Sequence, residues 1–279
     1  MLSSLLSTKC WVGLALLFVS MSSCAQATSA PIKSSIKSGD GLIAEIATSK
    51  ATNPIGTVIY VTGLGGKGNS IQKLANVFLD NDLNLVTFDR DEPACQGFQC
   101  FGTVGSRVPS GQPIYAEGQP SALDHIVANE LSSVINFVTQ ADWYQSAPKL
   151  YLVGGSYGAW ITLQASATPE LTELISGAVF VSPSIAPHKS TGKYASEALR
   201  FDAIKHGLIS KPVLAIGSDK DILFPGATTA DSVTFLEAEL TGTKFFAVKE
   251  STGKHAKELL FYSKIHVKKI IDWILEQAK

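Results

Sequence analysis

The sequence predicts an α/β protein with a mostly parallel central sheet and helices on both of its faces. Short apolar segments that end in glycine, serine or a charged residue alternate along the chain with longer segments of helical periodicity, and this alternation is typical of strand–helix–strand units. No internal repeat is present, and no linker divides residues 40–279 into two domains. A chain of 279 residues is long enough to bury the core of one such domain.

The predicted strands are short and apolar, as expected for strands that a parallel sheet buries on both faces. They span residues 56–63, 84–89, 149–154, 177–182, 211–217 and 244–250. The alternating pattern of residues 41–48 predicts a further, antiparallel strand at the edge of the sheet. Helices are predicted at residues 71–83, 122–139, 157–167, 194–206, 228–240 and 257–277.

The N-terminus has the organisation of an export signal. Lys9 precedes an apolar run at residues 11–19, and small residues follow it, which is the order of the basic, hydrophobic and cleavage regions of a secretory signal. The apolar run is shorter than the roughly 18 residues that a membrane span needs. The segment Met-Ser-Ser-Cys that ends at Cys24 resembles the lipobox of bacterial lipoproteins and favours lipidation of that cysteine. Ordinary cleavage after Ala27 is the alternative.

These features predict three parts of the chain: a signal peptide at 1–27, a flexible segment at 28–39 and a folded domain at 40–279. The protein is expected to be exported, as a periplasmic protein, a membrane-anchored lipoprotein or a secreted protein. The formal net charge of −1 and the scattered basic residues provide no field that would attract nucleic acid. We therefore expect no nucleic-acid partner and no membrane attachment other than an N-terminal lipid.

Export changes the interpretation of the four cysteines. Only Cys95 and Cys100 belong to the predicted domain, within the sequence Ala-Cys-Gln-Gly-Phe-Gln-Cys. In an oxidising compartment, two neighbouring cysteines in a glycine-containing loop favour a disulfide. Zinc binding is the alternative, but two thiols without a nearby pair of histidines make a poor four-ligand site, and we predict no metal.

One serine stands at the junction between a predicted strand and a predicted helix. The segment Gly-Gly-Ser-Tyr-Gly at residues 154–158 has the pattern Gly-x-Ser-x-Gly, in which the chain turns sharply and small neighbours let strand and helix approach. Such a turn holds Ser156 out of the packed layers, at the carboxyl end of a strand, where parallel sheets carry their active sites. Because a serine hydroxyl is a weak nucleophile, this interpretation requires a base and an acid elsewhere in the chain.

Candidates for the acid and the base occur later in the chain, each after a predicted strand. The segment Gly-Ser-Asp-Lys-Asp-Ile-Leu-Phe-Pro carries Asp219 and Asp221. The segment Ser-Thr-Gly-Lys-His-Ala-Lys-Glu-Leu-Leu carries His255, just before the last predicted helix. Since loops after parallel strands meet at one edge of the sheet, these side chains are expected to lie near the serine.

These motifs resemble those of the α/β-hydrolase family, in which serine, acid and histidine follow one another in this order. The resemblance covers nearly the whole predicted domain and implies a single-domain α/β-hydrolase fold with a catalytic triad of Ser156, Asp221 and His255. In the family the acid precedes a proline by four residues, and counting back from Pro225 favours Asp221. Asp219 is the alternative acid.

The same resemblance implies an oxyanion hole. Residues 61–70, Val-Thr-Gly-Leu-Gly-Gly-Lys-Gly-Asn-Ser, follow the first parallel strand as the family's oxyanion loop does. The backbone N–H groups of Leu64 and Tyr157 would then stabilise the oxyanion. The family often has His-Gly at the start of this loop, where this chain has Thr62 and Gly63. Phosphate binding by the glycines is the alternative, but their spacing fits neither dinucleotide-binding nor P-loop patterns, so no cofactor is expected.

Substrate specificity is less sharply indicated. Little or no cap domain is expected, because the connection between the predicted strands 177–182 and 211–217 has room for only a loop and one helix. The long connection at 91–120 is the best candidate for a substrate-facing loop. We expect an exported serine hydrolase that acts on small-molecule carboxylic esters.

Two alternatives remain open. The segment Gly-Gly-Ser-Tyr-Gly-Ala also resembles the nucleophile turn of prolyl-oligopeptidase-type serine peptidases, which implies cleavage of amides on the same fold. From a different class, an exported binding protein or lipoprotein scaffold would have this fold without turnover.

Overall fold

A computed structural model of the protein describes residues 32–35, 43–48, 54–63, 68–89, 122–146, 148–187, 200–224, 227–262 and 264–279. The strands in these ranges are β1 (Ile32–Ser35), β2 (Ile43–Ala47), β3 (Gly56–Val61), β4 (Leu83–Phe88), β5 (Leu150–Gly155), β6 (Gly177–Val181), β7 (Val213–Ser218), β8 (Ile222–Phe224), β9 (Ala227–Thr228) and β10 (Phe245–Glu250). The α-helices are α1 (Ala75–Leu79), α2 (Ala122–His125), α3 (Ser132–Gln140), α4 (Asp142–Gln145), α5 (Tyr157–Ser166), α6 (Pro169–Thr172), α7 (Ala203–His206), α8 (Thr229–Glu239), α9 (Lys257–Tyr262) and α10 (Lys264–Gln277).

Eight of the described strands form one sheet in the order β1-β2-β4-β3-β5-β6-β7-β10. The strands from β4 to β10 in that order pair in parallel, whereas β2 pairs antiparallel with β4. A separate antiparallel hairpin joins β8 and β9. The predicted mostly parallel sheet is therefore confirmed.

The antiparallel end of the sheet differs from the prediction. The strand expected at 41–48 is β2, but it is not the edge strand, because β1 pairs antiparallel with its outer side. β1 lies within residues 28–39, which the sequence predicted to be a flexible segment. Its sequence, Ile-Lys-Ser-Ser, contains one apolar residue and has no strand signature of its own. The backbone groups of β2 provide a pairing partner that a sequence pattern does not reveal.

Helices cover both faces of the sheet. On β3, Ile59 and Val61 belong to an apolar cluster that includes residues of α3, α5 and α8. Their neighbours Val58 and Tyr60 belong to the opposite cluster, which includes residues of α1, α9 and α10. Burial on both faces explains why the parallel strands are continuous apolar runs in the sequence.

The predicted helices occur with altered boundaries where the structure describes them. Of the helix expected at 194–206, residues 203–206 form α7, and residues 194–199 lie outside the described residues. The first half of the helix expected at 71–83 consists of 3₁₀ turns before α1, and a π-helical segment at Ile126–Leu131 separates α2 from α3. The helix expected at 257–277 is divided into α9 and α10. Apolar periodicity indicates which face of a segment is buried, but it does not distinguish 3₁₀, α and π turns. The short helices α4 and α6 and the β8–β9 hairpin were not predicted.

Candidate active site

Ser156 occupies a strained turn between β5 and α5. Its backbone has φ 56° and ψ −119°, and its N–H donates to the carbonyl oxygen of Val181 at 2.9 Å. A positive φ at a residue other than glycine costs about 1–3 kcal/mol and persists only where the surrounding structure enforces it. A Cβ on Gly154 would overlap the carbonyl oxygen of Gly158, and a Cβ on Gly158 would overlap that of Val61. Both glycines are therefore required for α5 to pack this closely on the sheet.

The structure brings Asp221 and His255 together at the carboxyl ends of β7 and β10. His255 Nδ1 lies 2.8 Å from Asp221 Oδ2, and Asp221 is only 4% exposed. Because a carboxylate only accepts hydrogen bonds, Nδ1 carries the proton and Nε2 is left as the basic nitrogen. The same Oδ2 lies 3.2 Å from the hydroxyl oxygen of Thr229, a buried residue at the start of α8. The pair thus has the tautomer that a general base requires.

Asp219, the alternative acid, lies elsewhere. It is exposed, and the hydroxyl of Ser251 donates to its Oδ2 at 3.3 Å. The turn that follows β7 therefore directs Asp219 towards solvent and buries Asp221 beside the histidine.

The loop that carries His255 is held by its neighbours. The N–H of Ala256 donates to the hydroxyl oxygen of Ser182, at the end of β6, over 2.8 Å. Both residues have positive φ, 43° at Ala256 and 49° at Ser182. Ser218 at the end of β7 accepts from the N–H of Thr252 at 2.9 Å. The loops after β6, β7 and β10 are thereby joined into one support for the imidazole.

Ser182, Ser218 and Thr229 were not identified from the sequence. One signal was available, since Ser182 and Ser218 each stand at the carboxyl end of a predicted apolar strand, where a polar residue faces the active-site edge. Thr229 has no comparable signal, because its contact with Asp221 depends on how the β8–β9 hairpin returns the chain to β7.

Ser156 and His255 line a common cleft of about 180 Å³. Its wall includes Thr62 and Gly63, at the end of β3. A Cβ on Gly63 would lie 3.1 Å from the Cβ and 3.7 Å from the Oγ of Ser156, so the start of the glycine-rich loop lies directly against the serine. Tyr157 is the first residue of α5, so its N–H lies at the positive end of the helix dipole.

Other predicted sites lie outside the described residues: Leu64, Cys24, the cysteines Cys95 and Cys100, and the connection at 91–120. Where the chain is described, no group of three or more His, Cys, Asp or Glu side chains is arranged to hold a metal ion. No helix in the described ranges combines the length and the apolar character needed to span a bilayer.

No protein-family model matches the chain, and no curated protein matches its sequence significantly. Solved structures do match it. An esterase from Pyrococcus furiosus superposes with a TM-score of 0.60 at 12% identity, over 90% of this chain and 93% of the esterase. A dienelactone hydrolase from Anabaena variabilis gives 0.60 at 14% identity, over 88% and 98%. A monoacylglycerol lipase from Paleococcus ferrophilus gives 0.58 at 14% identity, over 85% and 99%.

These structural neighbours, the mostly parallel sheet and the strained strand-to-helix turn at Ser156 agree with one another. The chain has the α/β-hydrolase fold.

Proposed function

We propose that the protein is a serine hydrolase that cleaves small carboxylic esters. The observation that carries the proposal is the 2.8 Å contact between His255 Nδ1 and Asp221 Oδ2, in a ring that lines the same cleft as Ser156. A serine on a strained turn, a histidine with a basic Nε2 and a buried carboxylate are the groups that acyl transfer needs. No cofactor and no metal enter this chemistry.

In the proposed reaction, Ser156 Oγ attacks the ester carbonyl carbon and its proton passes to His255 Nε2. The negative charge on the former carbonyl oxygen is stabilised by the N–H of Tyr157 and, by resemblance, that of Leu64. The intermediate then expels the alcohol, which takes the proton from His255, and the acyl group remains on Ser156. Water repeats the sequence: it attacks the acyl-enzyme, gives a proton to His255 and displaces Ser156, which recovers its proton as the acid leaves.

Asp221 stabilises the imidazolium that forms in both steps. Its carboxylate is buried and receives the Nδ1–H of His255, so the positive ring is paired with a negative charge in a site of low dielectric. It also prevents the imidazole from adopting the tautomer in which Nε2 carries the proton and cannot act as base.

The names of the structural neighbours favour an ester substrate. They are an esterase, a lipase and a dienelactone hydrolase. Two alternatives to ester hydrolysis remain. One is peptide cleavage, which the sequence Gly-Gly-Ser-Tyr-Gly-Ala suggests, and the other is binding without turnover. The following experiment distinguishes all three.

The test is a panel of p-nitrophenyl acyl esters of increasing chain length, measured beside aminoacyl anilides. We expect turnover of the short-chain esters and none by Ser156→Ala. Ser70→Ala is the matched control, because Ser70 lines the same cleft, and it should retain turnover. A preference for the anilides would make the protein a peptidase. If folded wild type turns over none of the substrates, the ester-hydrolase proposal is wrong and the protein is a binding or scaffold protein.

We further propose that the protein is exported as a lipoprotein through Cys24 and that Cys95 and Cys100 form a disulfide. The arrangement of the signal sequence supports the first proposal, and the short cysteine spacing in an exported chain supports the second. Mass spectrometry of the membrane fraction should find an acylated N-terminal cysteine, whereas a mature N-terminus at Thr28 contradicts lipidation. Alkylation of the denatured, unreduced protein should modify neither domain cysteine, and two alkylations contradict the disulfide.

A further inference from the structure

Tyr60 places a buried hydroxyl at the wall of the active-site cleft. It is 2% exposed, belongs to β3 and lines the same cleft as Ser156 and His255. A Cβ on Gly155 would overlap the Tyr60 hydroxyl oxygen. The hydroxyl therefore lies directly beside the backbone of the residue that precedes the proposed nucleophile.

The contact found for this hydroxyl within the described ranges is with the backbone at Gly155, which offers it no hydrogen bond along that side, and Tyr60 lines the cleft on the other. A buried phenol usually has a hydrogen-bond partner, because an unpaired buried polar group costs about 1–3 kcal/mol. Tyr60 therefore provides a donor on the side of the cleft.

The protonation state of Tyr60 suits a donor. Burial raises the pKa of its phenol well above the usual range, so the O–H is retained at neutral and moderately alkaline pH. The surrounding wall includes the apolar side chains of Ile71 and Ala256, which would keep water from competing strongly for the hydroxyl.

We propose that the Tyr60 hydroxyl donates a hydrogen bond to an acceptor oxygen in the short acyl or alkoxyl arm of the substrate, and that the enzyme therefore selects oxygen-containing esters over alkyl esters of equal length. This inference rests on the proposed ester hydrolysis. A cleft of about 180 Å³ admits only a short arm, so the acceptor lies within a few bonds of the scissile carbonyl.

The inference is tested with two pairs of esters of matched length. p-Nitrophenyl methoxyacetate and butyrate differ by one ether oxygen in the acyl arm, and 2-methoxyethyl acetate and butyl acetate differ likewise in the alkoxyl arm. For each pair, the kcat/KM of the ether-containing ester is divided by the kcat/KM of the alkyl ester. This ratio is measured in wild type and in Tyr60→Phe. Dividing the wild-type ratio by the Tyr60→Phe ratio cancels the intrinsic reactivity of the esters. We expect a quotient of about ten for one pair, the effect of one neutral hydrogen bond.

Tyr151→Phe is the matched control. Tyr151 is also a buried tyrosine, and its hydroxyl lacks a partner within the described ranges, but its ring packs against Trp273 in the core. Its quotient should be near one for both pairs, and thermal unfolding of both variants verifies that they fold. Quotients near one in Tyr60→Phe, with all esters turned over, overturn the role of Tyr60 and leave the hydrolase proposal intact. Failure of wild type to turn over any of the esters overturns the ester-hydrolase proposal, and the role of Tyr60 with it.

Discussion

His255 and His206 each form a hydrogen bond through Nδ1, but the first ring donates and the second accepts. At His255, Nδ1 lies 2.8 Å from the carboxylate of Asp221 and must carry a proton. At His206, Nδ1 accepts from the backbone N–H of Asp202 at 3.0 Å and must be unprotonated. The proton of the first ring is therefore on Nδ1 and that of the second is on Nε2.

The two histidines also differ at Nε2 and in their exposure to solvent. His206 Nε2 lies 3.1 Å from Gln164 Oε1 and donates to it, while the amide of Gln164 donates to Asp124. Nδ1 of His206 therefore binds the N-cap residue of its own helix α7, whereas Nε2 joins α7 to α5. Burial lowers the pKa of His206 to about 4. His255 lines the cleft, with its side chain 29% exposed. The chemical nature of the partner at Nδ1, a carboxylate in one case and a backbone N–H in the other, distinguishes the proposed base His255 from the structural histidine His206.

The largest expected effect on kcat comes from replacing Asp221, the hydrogen-bond partner of His255. Asp221→Asn should lower kcat about 10⁴-fold with folding intact, as amidation of the acid does in a Ser-His-Asp triad, because the imidazole then adopts the wrong tautomer. Asp219→Asn, the matched control, should lower kcat less than about tenfold, because Asp219 is exposed and does not contact the ring. Steady-state kinetics of both variants provides the comparison, and the reverse order would assign the acid to Asp219.

The buried histidine predicts a pH dependence of stability. The unfolded chain binds a proton at His206 below about pH 6.5, whereas the native ring, with its pKa lowered to about 4, does not bind one until the pH approaches that value. The unfolded state is therefore favoured as the pH falls through this window, by about 3 kcal/mol in total at pH 4 relative to pH 7.

Urea unfolding of wild type and His206→Gln at several pH values between 7 and 4 measures this contribution. The variant should be less stable at pH 7, and the difference should shrink as the pH falls. Parallel curves would mean that His206 does not titrate as described. Because His206 lies outside the cleft, its replacement should leave ester turnover in place, whereas His255→Gln should abolish it.

The smallest expected effect concerns the second contact of the carboxylate. Thr229→Val keeps the shape of the side chain but removes the hydroxyl that lies 3.2 Å from Asp221 Oδ2. The same change removes the acceptor of the Ser218 N–H, which lies 2.8 Å from the Thr229 hydroxyl oxygen. Loss of these buried hydrogen bonds should lower kcat up to about tenfold with little change in KM. Thr229→Ser restores the hydroxyl and should recover most of the rate. An unchanged kcat in Thr229→Val would show that Asp221 needs no support from α8.

The sequence predicted the strands well because burial on both faces makes them apolar runs, and it missed β1 because its pairing depends on β2. Motif order predicted that Asp221 would lie near His255, and the count from the proline favoured it over Asp219. The supports were not predicted. Ser182 contacts Ala256 across a long stretch of chain. Tyr60 belongs to a strand that is buried throughout, so its sequence does not mark it as a residue of the cleft. Contacts of this kind depend on how distant segments pack and leave no local pattern.

Covalent labelling shows whether Ser156 is an activated nucleophile. A fluorophosphonate probe reacts with a serine hydroxyl that an adjacent base deprotonates, and peptide mapping then identifies the modified residue. We expect one adduct, on Ser156, in wild type and in Ser70→Ala, much slower labelling in His255→Gln, and none in Ser156→Ala. Folded wild type that remains unlabelled, or an adduct on another residue, would contradict the proposed mechanism.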